Sequence, residues 1–148
     1  MTPRKINPPH YFLLSLVAMA CLRVLIDDAP LLGGIAWFGA LPILAGIVVA
    51  MLARRQFQRA GTNIVPLTPS AALVTDGMFA WSRNPMYASM TAVLIGTAIG
   101  VDRVLPWIVV PLFAATLRLH FIRHEERLME ATFGQVYVDY KARVRRWL

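Results

Sequence analysis

Two polar clusters interrupt an otherwise apolar chain, and both carry residue types able to do chemistry. The first runs from Thr75-Asp76-Gly77 to Ser82-Arg83-Asn84-Pro85-Met86-Tyr87. Pro85 suits the first turn of a helix, where its missing N–H costs nothing. Asn84 then sits at or next to the N-cap, with Ser82 as the alternative one register away. A helix N-terminus beside an arginine is a ready site for a carboxylate. Capping and a surface cation account for Asn84, Pro85 and Arg83 one by one, but they leave Tyr87, one turn in, unexplained. The second cluster is Arg123-His124-Glu125-Glu126-Arg127. Acids at a helix C-terminus oppose the macrodipole, a penalty that disappears if the helix runs on. A salt-bridged turn with Arg123 and Arg127 explains this cluster as readily as a functional role, because charge runs are usually solvated faces.

Together the clusters offer an arginine, a hydrogen-bond donor, tyrosines and two carboxylates. Carboxylates accept from a diol or an ammonium, arginine pairs with a carboxylate, and tyrosine faces favour a sulfonium cation. S-adenosylmethionine has all of these parts. Other chemistry is thinly represented. No P-loop, GxGxxG, paired cysteine or Ser-His-Asp order occurs, and the lone Cys21 suits helix packing. His120 and His124 lie four apart and can share a helix face, but no third metal ligand is well placed, so no metal is expected.

The elements that position these clusters must be membrane helices. Of 148 residues, 57% are hydrophobic and only 16% charged, where soluble domains carry about 25% charged residues. Lipid is therefore the expected solvent for much of the surface. Four apolar stretches stand out: Tyr11–Ile26, Leu31–Ala53, Met86–Val101 and Leu105–Ile122. A bilayer core takes about 20 residues of helix, so the third is short, and Asp102-Arg103 permits only a tight hairpin between the third and fourth. Arg4 and Lys5 before the first stretch resemble a signal peptide, but no clean cleavage site follows, and a retained anchor is expected.

The net charge of +7 comes from 15 Lys and Arg against 8 Asp and Glu. In a four-span model with both termini cytoplasmic, every Lys and Arg except Arg23 and Arg103 falls on the cytoplasmic side. That is the positive-inside pattern, and it makes the basic charge a membrane signature rather than a nucleic-acid one.

Two segments lie outside these stretches. Arg54–Pro85 is punctuated by Gly61, Pro66, Pro69 and Gly77 and reads as loop with at most a short helical turn. It also holds Ile64, Val65, Leu67, Leu73, Val74, Met78, Phe79 and Trp81, too many apolar groups for a solvated linker. In Arg123–Leu148, Phe133, Val136, Tyr137, Tyr140, Val144 and Trp147 recur at helical spacing, broken near Gly134. This face either rests on headgroups or covers a pocket lined by Tyr137 and Tyr140. Periodicity alone slightly favours the headgroups. The expected fold is all-α: a polytopic bundle of about four transmembrane helices, with a cytoplasmic loop and a C-terminal amphipathic helix over a cofactor pocket. Residues 1–148 form one domain, 1–53 as two anchor helices and 54–148 as the cofactor-binding portion.

Several motifs occur in a telling order: Gly61-Thr62 with Pro66, Leu73-Val74-Thr75 with Gly77, Arg83-Asn84-Pro85-Met86-Tyr87, Glu125-Glu126 with Leu128, and Phe133-Gly134 with Tyr137 and Tyr140. In this order, across a short helical hairpin, they resemble the superfamily of isoprenylcysteine carboxyl methyltransferases and phospholipid N-methyltransferases. The resemblance covers residues 60–146, and the first two stretches match only as apolar anchors. It implies an integral-membrane, S-adenosylmethionine-dependent methyltransferase. Arg83, Asn84, Tyr87, Glu125 and Glu126 would contact the cofactor, and Leu73, Val74 and Gly77 would present backbone groups to it. Tyr137 and Tyr140 would line its pocket. The isoprenylcysteine branch has histidine in place of Asn84, and asparagine cannot titrate, so that position moves no proton here.

The implied acceptor is lipophilic: an isoprenylcysteine-like carboxylate, a lipid amine or a small hydrophobic molecule reaching the site from the bilayer. An anionic acceptor needs no base, whereas a protonated amine does, and Glu126 is the candidate. A bacterial inner membrane is the expected location. The rival readings are a non-enzymatic scaffold or transporter subunit, a sterol-reductase-type enzyme, and a haem or quinone protein using His120 and His124.

Overall fold

The computed structural model describes residues 7–26, 29–61 and 71–147, and all regular structure within them is helical. Thr62, Ile64, Val65, Pro66, Leu67 and Pro69 of the motif-bearing loop, and Arg4 and Lys5, lie outside the described residues.

Helix α1 spans Pro8–Leu25, with proline at its start. A 3-10 turn, Gly33–Gly39, leads into α2, Ala40–Arg59. A short α3, Met78–Trp81, precedes α4, Pro85–Val101. A second 3-10 turn, Leu105–Ile108, opens α5, Val109–Leu117. A π-helical turn, Arg118–Ile122, joins α5 to α6, Arg123–Phe133, without a break, and α7 follows at Gln135–Arg143. Three of these runs, Pro8–Leu25, Gly33–Arg59 and Leu105–Phe133, are long and apolar enough to cross a membrane. The fourth apolar stretch becomes the 17-residue α4, about 25 Å long at 1.5 Å per residue.

Two expectations change in detail. The second stretch does not stop at Ala53, because α2 carries Arg54, Arg55 and Arg59 as further helical turns. Nor does Val136 share the buried face of α7. It is 65% exposed, whereas Tyr137 and Tyr140 are buried. The helix turns its tyrosines inward rather than laying the whole apolar stripe on a surface.

The core follows from small residues as much as large ones. The 3-10 turn and α2 pack so closely on α4 that a Cβ on Gly96 would stand 2.4 Å from the Gly39 carbonyl oxygen and 2.9 Å from the Ile43 backbone N. Close backbone approach of this kind is how membrane helices gain packing without a hydrophobic driving force between them. Met19 of α1 joins Leu94 and Ala98 of α4 and Val110, Phe113 and Leu117 of α5 in the main cluster. Tyr11 meets Phe121 edge-on at 5.7 Å, and Phe12 packs on Phe113 at 6.2 Å.

At the hairpin end Asp102 adopts a left-handed conformation, φ 55°. Its carboxylate accepts from the backbone N–H groups of Leu31 at 3.0 Å, Leu32 at 2.5 Å and Gly33 at 2.9 Å. These bonds, the Leu32 bond most strongly, hold its carboxyl below the usual aspartate pKa range and so make it more acidic. They tie the start of the second span to the α4–α5 hairpin.

Candidate functional site

The opposite end of the bundle holds the chemistry. Pro85 begins α4 as its sequence predicts, and Asn84 is the N-cap, but its side chain does not cap the helix. Its Nδ2 instead donates to the Arg146 carbonyl at 3.0 Å. Ser82 Oγ accepts from the Asn84 N–H at 3.1 Å, so the register-shifted rival takes the local backbone bond.

The helix does run on past the acids. Glu125 and Glu126 lie inside a continuous helical rod, directly after the π turn, so the macrodipole penalty is absent. π turns often mark functional sites because they shift side chains off the regular face. Tyr87 OH donates to Glu125 Oε1 at 2.6 Å, linking α4 to α6. Glu126 lies at the centre of an ion cluster. Arg146 grips it with a two-pronged fork, Nε to Oε1 at 2.9 Å and Nη2 to Oε2 at 2.8 Å. Arg83 Nη1 stands 3.2 Å from Oε1.

Burial gives these contacts their weight. The side chains of Arg83 and Glu126 are 9% and 10% exposed, against 31% for Arg146. Two guanidinium groups share one carboxylate, leaving a surplus positive charge. Among the described residues, Arg83 Nε and Nη1 have no hydrogen-bond partner. Arg83 is thus a buried cation held by attraction to Glu126 and by its contact with the Tyr137 hydroxyl, with Nε and Nη1 unused. Such a group is expensive unless something completes its shell.

Tyr137 and Tyr140 wall the cluster, their ring centroids 6.0 Å apart. Tyr140 OH donates to the Phe79 carbonyl at 2.6 Å, fastening α7 to α3. Burial pushes the Tyr137 phenol up to about 12, with Glu126 adding to the rise and Arg83 opposing it. Burial also raises Tyr140. Both rings therefore stay neutral across ordinary pH. Arg146 is held more firmly cationic by its hydrogen bonds to Glu126.

The Leu73–Gly77 stretch is anchored to α2 and α3. Val74 packs with Ala53 and Phe79. Gln56 of α2 holds the backbone around Gly77, accepting from the Met78 N–H at 3.0 Å and donating to the Asp76 carbonyl at 3.2 Å. The Asp76 and Gly77 carbonyls also accept from the Phe79 and Ala80 N–H groups of α3, and Leu73 is half-buried. His120 and His124 are both exposed, and His120 Nδ1 lies 3.2 Å from the Thr116 carbonyl of its own helix.

Sequence reasoning missed Arg146, which it counted only as one of the basic residues. It lies twenty positions from its partner and carries no local motif. Gln56 was missed as an anchor for the same reason.

Fold and site define a class: an all-helical membrane protein whose buried, charged site sits at one end of a short-helix hairpin. A family model described as phospholipid methyltransferase matches residues 35–136, and the chain belongs to this family. An uncharacterised protein of Haemophilus influenzae is 35% identical over 63 residues, covering 43% of this chain and all of that one. The protein-S-isoprenylcysteine O-methyltransferases of Mus musculus and Rattus norvegicus are 29% and 30% identical over 120 residues, 78% of this chain. The chain spans 42% of the length of each of these two enzymes. No solved structure matches.

Proposed function

We propose that the protein transfers a methyl group from S-adenosylmethionine to a lipophilic acceptor at the cytoplasmic face of a membrane, a bacterial inner membrane in our reading. The observation that carries this is Arg83, a buried guanidinium with two donor atoms unused that shares a single carboxylate with a second guanidinium. That donor set fits the carboxylate of a zwitterionic cofactor. Glu125, steadied by Tyr87, suits the ribose diol or the ammonium group. The neutral faces of Tyr137 and Tyr140 suit a sulfonium. The relatives' names support methyl transfer, and the lipid-facing helices support an acceptor delivered sideways from the bilayer.

When bound, the cofactor supplies an electrophilic methyl group on its sulfonium. The chain's own residues hold and align the reactants, and the buried tyrosines keep water out. Glu126 has both oxygens engaged by guanidinium groups, so taking a proton means breaking the fork. We therefore read it as a holding group rather than a base, which favours an acceptor that reacts without losing a proton, such as a carboxylate or thiolate. Asn84, committed to the Arg146 carbonyl, moves no proton in this scheme.

Calorimetric titration with S-adenosylhomocysteine tests the cofactor. Wild type is expected to bind, and Arg83→Ala to lose at least about tenfold in affinity, as a charge-assisted hydrogen bond is worth about 1.5–3 kcal/mol. No binding by wild type, or equal binding by the variant, refutes the site. Incubation with radiolabelled methyl donor and host lipid extract then identifies the acceptor from the labelled product.

A further inference from the structure

The fork between Arg146 and Glu126 poses a question of purpose. Arg83 lies nearer the protein interior than Arg146, yet Arg146 has the well-aligned bonds to Glu126. The segment that carries it crosses the α3–α4 junction. The Arg83 N–H donates to the Arg145 carbonyl at 2.9 Å, and Asn84 Nδ2 donates to the Arg146 carbonyl. Trp147 packs against the main core cluster. The backbone holds this strap whatever side chain stands at 146. Arg146 also lies beyond the stretch matched by the family model, residues 35–136.

A carboxylate has two oxygens and grips one guanidinium in a fork. With Arg146 in that fork, Arg83 is left with an attractive but poorly aligned contact, and its Nε and Nη1 stay open. Without Arg146, Glu126 can turn and close its own fork on Arg83, using the donors that a ligand carboxylate needs. We propose that Arg146 is a positioning residue: by occupying Glu126 it keeps the Arg83 guanidinium available to an anionic group of the ligand. This rests on the methyl-donor reading above.

The test measures S-adenosylhomocysteine affinity and melting temperature in detergent for wild type, Arg146→Lys and Arg146→Met. Lysine keeps the charge but cannot fork. Both variants are expected to bind about tenfold more weakly, while melting close to wild type because the strap's backbone bonds remain. Millimolar guanidinium ion, which can refill the fork, is expected to restore affinity in Arg146→Met and leave wild type unchanged. Wild-type affinity in both variants overturns the inference alone. So does weak binding that tracks a fall in melting temperature, or weak binding that guanidinium does not restore. Wild type that takes up no S-adenosylhomocysteine overturns the methyl-donor reading, and this inference with it.

Discussion

Replacing Glu126 by glutamine keeps its shape and removes the one negative charge between two guanidinium groups. The cost can be apportioned from exposure. Arg146 is about a third exposed and can turn to water, so its lost pair is worth about 0–1 kcal/mol, the value for a surface bridge. Arg83 is 9% exposed and has nowhere to go. Leaving one partner of a buried pair uncompensated costs about 3–5 kcal/mol. The amide oxygen still faces Arg83, so the lower end applies, and the total comes to about 3–4 kcal/mol. At about 2–4 °C per kcal/mol for a chain of this size, the melting temperature should fall by about 6–16 °C. Thermal unfolding of detergent-solubilised protein, followed by circular dichroism, reads this directly. Glu130→Gln is the control. It removes a pair with Lys141 in which both side chains are more than a third exposed, and it should cost no more than about 1 kcal/mol. A Glu126→Gln variant that melts within about 1 °C of wild type, or no lower than the control, refutes the claim that this carboxylate compensates a buried cation.

Gly96→Ala should destabilise by about 1–3 kcal/mol, the usual cost of overpacking, because its new methyl would meet the Gly39 carbonyl at 2.4 Å and the Ile43 backbone N at 2.9 Å. Unchanged melting would show that α2 and α4 do not approach so closely. Tyr140→Phe strips the Phe79 carbonyl of its 2.6 Å donor and should cost about 1–3 kcal/mol, with faster limited proteolysis of the C-terminal segment as a second measure. Asp102→Asn should lower the melting temperature at neutral pH. Aspartate is more acidic in the fold than outside it, so its contribution is complete above the ordinary value of about 3.9 and is lost as pH falls through the lower folded value. The gap between variant and wild type should close in acid, and a gap of constant size from pH 7 to about pH 3 contradicts the three-bond latch.

Local patterns were legible in the chain. Pro85 marked the start of α4, because a proline without an N–H fits only that turn. The apolar runs located the long helices, although the second proved longer at the end carrying Arg54 and Arg55. The break at Gly134 was equally plain, since its φ of 54° is one that glycine adopts freely. What periodicity could not decide was which way α7 faces. A stripe containing Val136, Tyr137 and Tyr140 leaned slightly toward the headgroups by periodicity, and the bond from Tyr140 to α3 shows its tyrosine side turned inward instead. The ion cluster was half legible. Arg83, Glu125 and Glu126 stood out as charges beside apolar helices, but Arg146 was lost in a basic run whose members look alike until one folds onto its acid. Pairing across twenty or more residues leaves no periodic trace, and the same is true of Gln56 and its hold on Asp76 and Met78.

The π-helical turn at Arg118–Ile122 works as a phase shifter in the long rod. In an unbroken α-helix, at about 100° per residue, Glu126 would lie about 160° around the axis from the buried Val110. One residue looped out brings that angle to about 60°, so the rod turns its oily stripe and its acid toward the same flank. Straightening positions 118–122 into plain α-helix with every residue kept would swing the carboxylate away from both of its arginines, whereas excising one of them would smooth the coil and leave the acid on the same flank.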